Sequence, residues 1–244
     1  MKALTIIVPI YNEEAGIELL DLEFQAYFEK TSMDNQVLLV NDGSTDESLG
    51  QIKKLCRTNT RFHFISFDRN RGLSAAILAG FKYAETEWVG YIDADLQTKP
   101  IDFLKFEPFL DSFDLVFGER VGRKDSGMKK FSSWFANWFR DSMLHDGMKD
   151  SGCPLKIMRK EYADALPYFS GMHRFIPALV MMRGGKIKQI PIAHFPRLSG
   201  KSKFNLRNRS IGPLVDTFGV RWMMKRRITY QIQSSDKTIE SHIL

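Results

Sequence analysis

The feature that most constrains this chain is a rhythm between residues 4 and 110, in which a short apolar run is followed by a stretch of helical spacing, four times over. Leu4-Thr-Ile-Ile-Val-Pro-Ile10 is apolar, β-branched and bounded by polar residues, as a strand buried on both faces requires. Ile17, Leu20, Phe24 and Phe28 then recur at helical spacing over 14–30. Residues 36–40 read as a second strand and 44–57 as a second helix. A strand over 62–67, a small-residue helix over 72–84, a strand over 88–92 and a helix over 101–110 complete the series. Such alternation predicts the α/β class, with a mostly parallel central sheet flanked by helices, and ligands binding beyond the carboxyl ends of the strands. The second half is less regular, with strands expected over 115–118, 154–158 and 186–195 and helices over 128–144 and 173–182. No internal repeat or linker divides it, so one domain over 1–205 with a C-terminal segment over 206–244 is the economical organisation.

Composition narrows the class. Of 244 residues 43% are apolar and 26% charged, which excludes disordered, collagenous and disulfide-scaffold chains and suffices for a sizeable core. No window approaches the roughly 18 to 20 apolar residues of a membrane span; the run from Phe175 to Met182 is stopped by Arg183. The apolar start leads into Tyr11-Asn12-Glu13-Glu14, too short and too acidic on its far side for a secretory signal. Two cysteines, Cys56 and Cys153, fit a reducing compartment. The formal charge of +6 resolves into +11 over 183–230 and −5 elsewhere. That basic block suits nucleic acid, anionic lipid headgroups or a phosphorylated substrate. The interleaved Phe195, Phe204, Leu214, Val215, Phe218 and Trp222 favour an apolar interface over a phosphate ladder.

The sharpest chemical signal is Tyr91-Ile-Asp93-Ala94-Asp95-Leu-Gln97. Alternation along an extended strand projects Asp93 and Asp95 from one face at the carboxyl end of the fourth strand. Paired carboxylates attract a hard divalent cation, Mg or Mn, that shares its oxygen ligands with substrate phosphates, and the Gln97 amide oxygen is a further candidate ligand. Alone, Asp-x-Asp reads equally as a polar strand end with a helix cap. Asn41-Asp42-Gly43-Ser44-Thr-Asp46 also follows a strand, which suits Asp42 to accept a hydrogen bond from a base, while Pro9, Tyr11 and Glu13 leave the neighbouring strand at the same edge. Asn70-Arg-Gly72 opens the third helix, where backbone N–H groups favour an anion.

In this order the motifs Val8-Pro-Ile-Tyr-Asn-Glu13, Asn41 to Asp46, Asn70-Arg-Gly72 and Asp93 to Gln97 resemble those of the family 2 inverting glycosyltransferases. Asp150-Ser-Gly-Cys153, His173-Arg-Phe-Ile-Pro177 and His194-Phe-Pro-Arg197-Leu-Ser-Gly-Lys-Ser-Lys203 are similar to the polyprenyl-phosphate glycosyltransferases, the group of dolichol-phosphate mannose synthase. The resemblance covers roughly residues 4 to 227. It implies a nucleotide-sugar-binding domain of the glycosyltransferase A type, a nucleotide-sugar donor (GDP- or UDP-linked) and a polyprenyl (undecaprenyl or dolichyl) phosphate acceptor. On the same grounds, Pro9, Tyr11, Glu13, Asp42, Asp93 and Ala94 would contact the nucleotide, and Asp93, Asp95 and Gln97 the metal. Arg120, Lys129 or Lys130, Arg197 and Lys203 would meet phosphate. Two of these positions depart from the family pattern: Glu119 in Gly118-Glu-Arg120, and a Lys where Arg is the commoner type. Asp95 and Asp150 are the implied catalytic carboxylates, Asp150 as a base or an organiser of the acceptor. A lipid phosphate is already anionic and has little need of a strong base, so residues that position it carry more weight.

Membrane contact is expected without a span. Phe131, Trp134, Phe135, Trp138 and Phe139 form one stripe of a helix flanked by Lys and Arg, which fits an interfacial helix as well as a core face. The C-terminal segment 206–244 is expected as an amphipathic basic helix and a polar tail, in which residues 211–228 combine Leu214, Val215, Phe218, Trp222 and Met223 with Arg221, Lys225, Arg226 and Arg227, a basic end suited to anionic lipids. The expected location is therefore cytoplasmic and peripheral on the inner membrane face; in place of the transmembrane helices that many relatives append, the alternatives are peripheral docking, a separate membrane-protein partner, or anchors that lie outside this sequence. The rival readings are a family 2 enzyme with a saccharide or glycolipid hydroxyl acceptor, a basic nucleic-acid-binding domain and a metal-dependent nucleotidyltransferase. Nucleic acid is not the expected partner.

Overall fold

The computed structural model describes residues 2–121, 137–196 and 206–228. Strands β1 (Ala3–Ile10), β2 (Asp34–Asn41), β3 (Phe62–Ser66) and β4 (Trp88–Tyr91) alternate with helices α1 (Ile17–Phe28), α2 (Ser48–Thr58) and α3 (Leu73–Tyr83). The remaining strands are β5 (Leu115–Val121), β6 (Lys156–Arg159) and β7 (Ile187–Ala193). Residues 137–144 form helix α4, followed by α5 (Lys160–Asp164), α6 (Ile176–Met182) and α7 (Leu206–Arg226).

The seven strands run in the order β3-β2-β1-β4-β6-β5-β7. Neighbours are parallel except for β6, which lies antiparallel between β4 and β5. Period-two alternation on β1 explains why the run 4–10 is apolar throughout. Ile6 and Val8 enter a core with Phe24 of α1, Ile52 of α2 and Phe103, while Ile7 enters a second core with Ala76, Ile77 and Phe81 of α3. The second core extends to Ile176 and Leu179 of α6 and to Val220 of α7.

Two expected elements differ in kind. The helix over 101–110 is a pair of 3₁₀ segments, Pro100–Lys105 and Glu107–Phe109, because Pro108 removes a donor and Pro100 starts the first turn. The segment from His173 divides into a 3₁₀ turn, Met172–Arg174, and α6, with Pro177 in the first turn of α6. The antiparallel course of β6 and the short α5 were not legible in the hydropathy pattern.

The C-terminal helix is tied to the domain. Arg221 donates to the Met143 carbonyl at 2.5 Å, Arg227 to the Met182 carbonyl at 2.6 Å, and the Phe139 and Phe218 rings stand 5.7 Å apart edge to face. Val215, Phe218 and Trp222 of this helix, and Trp138 of α4, are nevertheless each more than half exposed. Phe131, Trp134 and Phe135 of the expected stripe lie outside the described residues. No helix among the described residues is long and apolar enough to cross a membrane.

Close approach of α3 to β1 makes one substitution diagnostic. A Cβ on Gly80 would stand 2.5 Å from Ile7 Cγ2, against a branched side chain with no room to retreat. Gly80→Ala is expected to destabilise the fold by about 1–3 kcal/mol, read as a lower midpoint in urea without a change in slope.

Candidate active site

The site lies at the carboxyl ends of β1, β2, β4 and β5, where three loops are held by buried or half-buried carboxylates. Asn12, in a left-handed conformation (φ 52°), stitches the β1 loop to the β2 loop. Its N–H donates to Ser44 Oγ at 3.0 Å, and its Oδ1 accepts from the Thr45 N–H at 2.8 Å. The Glu13 N–H donates to Ser48 Oγ at 3.0 Å. Pro9, Tyr11 and Glu13 thus come to the same edge as Asp42, all partly accessible except Asp42, which is buried.

Asp42 organises the third loop. Its Oδ1 accepts from the Arg71 N–H at 2.6 Å, and its Oδ2 accepts from the Gly72 N–H and the Asn70 side-chain amide, each at 2.9 Å. The anion taken by the start of α3 is therefore the protein's own Asp42. Burial raises the Asp42 carboxyl above its usual range, opposed by the two backbone donors. A carboxylate has about four acceptor positions, so this arrangement leaves capacity for a further donor such as a base N–H. Gly43 (φ 66°) permits the contact, since a Cβ there would stand 2.2 Å from the Arg69 carbonyl carbon.

Asp93, Ala94, Asp95 and Gln97 lie just beyond β4, in a turn. Leu96, in a left-handed conformation (φ 53°) with its side chain buried, pins that turn to the core. Asp95 Oδ1 accepts from the Gln97 N–H at 3.2 Å, and the buried Tyr91 hydroxyl donates to Asp93 Oδ1 at 2.5 Å. Burial, then the charge of Asp95, raises the Asp93 carboxyl. Burial and the neighbouring carboxylates raise the Tyr91 hydroxyl, so it keeps its proton as a donor. Asp93 and Asp95 stand close enough for the charge of one to act on the other, and this pair of oxygen donors fits a hard cation that completes its shell with substrate oxygens; no group of three His, Cys, Asp or Glu suited to a metal occurs among the described residues.

Arg120 is the penultimate residue of β5, and Asp150 receives it in bidentate fashion. Nε donates to Oδ2 at 2.7 Å, Nη2 to Oδ1 at 2.9 Å, and the Arg120 N–H to Oδ2 at 3.2 Å. Burial works against the guanidinium charge, but the hydrogen bonds and charge of Asp150 outweigh it and hold Arg120 cationic. Asp150 is thus placed as the orienting partner of Arg120. Lys129, Lys130, Arg197 and Lys203 lie outside the described residues.

Sequence reasoning passes over Tyr91 and Lys156. Lys156, on β6, is paired in register with Tyr91 of β4 and Phe117 of β5, and is fully buried. The signal was present as a lysine inside the apolar run 153–158, where a core strand would carry none. His173, which the sequence presents within a motif without a role of its own, joins two elements. Ser74 Oγ lies 2.9 Å from its Nδ1 and also accepts from the Gly171 N–H at 2.9 Å, joining α3 to the 172–174 turn.

Comparison with known proteins places these features in a group. The profile of "Glycosyl transferase family 2" matches residues 5–190. The dodecaprenyl-phosphate galacturonate synthase of Rhizobium johnstonii is 31% identical over 228 residues, covering 91% of this chain and 67% of that one. The undecaprenyl-phosphate 4-deoxy-4-formamido-L-arabinose transferase of Aeromonas hydrophila is 30% identical, covering 84% and 64%. The chain thus spans about two thirds of the length of these curated relatives. Among solved structures, glucosyl-3-phosphoglycerate synthase from Mycobacterium tuberculosis, in complex with Mn2+, UDP-glucose and phosphoglyceric acid, superposes with a TM-score of 0.68 at 17% identity, covering 89% of this chain and 80% of that one. A mannosyltransferase from Pyrobaculum calidifontis, in complex with GDP-mannose and Mn2+, gives 0.62 at 16%, covering 91% and 70%. The sheet with its flanking helices is therefore the glycosyltransferase A arrangement.

Two outcomes test this geometry. Asp42→Ala leaves the Arg71 and Gly72 N–H groups without their acceptor and is expected to cost about 2–4 kcal/mol in urea unfolding, well above the loss from a surface Asp. Burial, then the charges of Arg174 and Lys156, pulls the His173 imidazole from 6.5 down to about 3. The unfolded chain then binds the extra proton, so stability is lost as the pH falls from about 6.5 towards 3, at up to about 1.4 kcal/mol per pH unit. Denaturation midpoints at pH 7 and 5 check this, and His173→Gln should show the shallower dependence.

Proposed function

Since the chain belongs to glycosyl transferase family 2, we propose that it transfers a sugar from a GDP- or UDP-sugar to a polyprenyl phosphate at the cytoplasmic face of a membrane, with inversion at the anomeric carbon. The observation that carries this reading is the meeting of the Asp93–Asp95 turn with a clamped guanidinium, Arg120, at one end of the sheet. It is supported by relatives that are polyprenyl-phosphate sugar transferases and synthases.

In this reading the nucleotide lies along the β1 and β2 loops, over Pro9, Tyr11, Glu13 and Asp42, with its diphosphate directed to the Asp93–Asp95 turn. Asp93 and Asp95, with the Gln97 side chain, would hold Mg or Mn, which when bound neutralises charge on the departing diphosphate. A phosphate oxygen of the lipid forms the new bond to the anomeric carbon. The bond from that carbon to the diphosphate oxygen breaks, and the nucleoside diphosphate leaves with the electron pair. The acceptor is ionised beforehand, so no side chain has to remove a proton. Arg120, held planar and charged by Asp150, offsets the combined negative charge of the two phosphate groups, joined by Lys130, Arg197 and Lys203. Asp150 therefore acts as an organiser of the acceptor site.

The exposed side chains of α4 and α7 complete the reading. Trp138, Val215, Phe218 and Trp222 offer exposed apolar side chains in a region that also carries Lys225, Arg226 and Arg227, which suits the headgroup region of an anionic bilayer. This region gives peripheral docking, alone or beside a membrane-protein partner.

Asp95→Asn is expected to lower transfer to undecaprenyl phosphate in detergent by at least about two orders of magnitude while leaving the melting transition in place. Turnover of UDP- or GDP-sugar, followed as nucleoside diphosphate release with Mn2+ or Mg2+, is the measurement. Transfer only to soluble hydroxyl acceptors, never to the lipid phosphate, would overturn the acceptor assignment. Trp222→Asp should weaken co-sedimentation with phosphatidylglycerol vesicles, and wild-type binding to neutral vesicles should be weaker still.

A further inference from the structure

A lysine with 1% of its surface exposed needs a physical reason, because an ammonium taken from water costs several kcal/mol unless it is hydrogen-bonded or paired. Lys156 stands at the start of β6. Since β6 runs antiparallel between β4 and β5, this position lies beneath the carboxyl ends of both, beside Tyr91 and Phe117. Its Nζ donates to the Ser151 carbonyl at 3.3 Å and to the Cys153 carbonyl in a shorter contact. Both acceptors belong to the turn that carries Asp150, which is closed by the Cys153 N–H donating to the Asp150 carbonyl at 3.3 Å. Arg140 of α4 reaches the same turn through Ser151 Oγ at 2.6 Å, and ties the segment before it by donating to the Met148 carbonyl, to Asp146 Oδ2 at 2.8 Å and to Asn137 Oδ1 at 2.6 Å. Asp150 in turn holds Arg120.

We propose that Lys156 is a positioning residue for the transfer reaction: it anchors the Asp150–Cys153 turn from below, so that Asp150 aims the Arg120 guanidinium at the phosphate groups. This rests on the function proposed above. A purely space-filling role is served by an apolar side chain of similar length, such as Met, at no cost in buried charge. The ammonium instead supplies what the turn lacks, a donor from the core side for two inward carbonyls. Asp93 and Asp150 attract Lys156 and Arg120 repels it, so the same cation lies within the field of the whole cluster.

The test pairs Lys156→Met and Lys156→Gln with Asp150→Asn, alone and in double variants, using UDP- or GDP-sugar and undecaprenyl phosphate in detergent. Lys156→Met is expected to lower kcat by roughly 10- to 100-fold while donor KM moves less than about threefold, because a misaimed guanidinium fails the charge that develops in the transition state. Lys156→Gln keeps donors and should recover most of that loss. Added to Asp150→Asn, Lys156→Met should cost little more, since both act through one contact. Full kcat in Lys156→Met, or losses that multiply in the double variant, overturns the proposal. If Lys156→Met does not fold, Lys156→Leu, which also removes the donors, is read by the same criteria of kcat and non-additivity, and a loss beyond about 10-fold in Lys156→Gln, which keeps them, overturns the proposal. A wild type that turns over no nucleotide sugar at all contradicts the parent function instead, which keeps the two failures apart.

Discussion

Carboxylates removed from water at the carboxyl ends of the strands must find donors, and in this protein each finds them in a different part of the chain. Asp42 takes two backbone N–H groups and a side-chain amide from residues 70–72, Asp93 takes the Tyr91 hydroxyl, and Asp150 takes the Arg120 guanidinium. Hydrogen bonds to charged groups contribute more than neutral ones, and an abandoned buried partner costs still more. The loops are therefore fixed by the same groups that give the site its charge. Positive charge inside the cluster comes from Arg120 of β5 and Lys156 of β6, and both oppose the rise of the Asp93 carboxyl in the acidic turn after β4.

The antiparallel strand β6 is the topological device behind this balance. In an all-parallel sheet, the carboxyl ends of the strands collect the ends of loops and the starts of helices. Reversing one strand brings its beginning to that edge instead, and with it the turn 150–153 and the lysine that opens the strand. Asp93 from β4, Arg120 from β5 and Asp150 from the turn before β6 become neighbours although 57 residues separate the first from the last. Helices α4 and α7 are connected to the same place. Arg140 of α4 reaches Ser151, and the Phe139 ring of α4 meets Phe218 of α7.

Much of this was legible in the order of residues. The runs 4–10, 36–40, 62–67 and 88–92 became β1 to β4 within one or two residues, because the central strands are covered on both faces and read as nearly continuous apolar runs, while the edge strand β3 keeps exposed His63 and Ser66 among its apolar residues. Asp42, Asp93, Asp95 and Arg120 stand at strand ends, as their motifs suggested. The details were not legible. Asp93 and Asp95 share a site through a turn pinned by Leu96 rather than through strand alternation, and the N–H groups of residues 71 and 72 turn inward to Asp42. The helix over 101–110 became two 3₁₀ segments, because spacing alone did not weigh the donor missing at Pro108.

By itself, then, the sequence determined the two-sided apolar strands, the helices between them and the acidic and glycine-bearing punctuation at their ends, since these follow from local spacing and residue chemistry. Tertiary structure alone decided which charges meet. Pairing of Arg120 with Asp150, the direction of β6 and the burial of Lys156 depend on contacts between residues far apart in the chain. Local patterns carry hydropathy but no strand direction, and a lysine in an apolar run acquires its meaning only from the carbonyls that surround it.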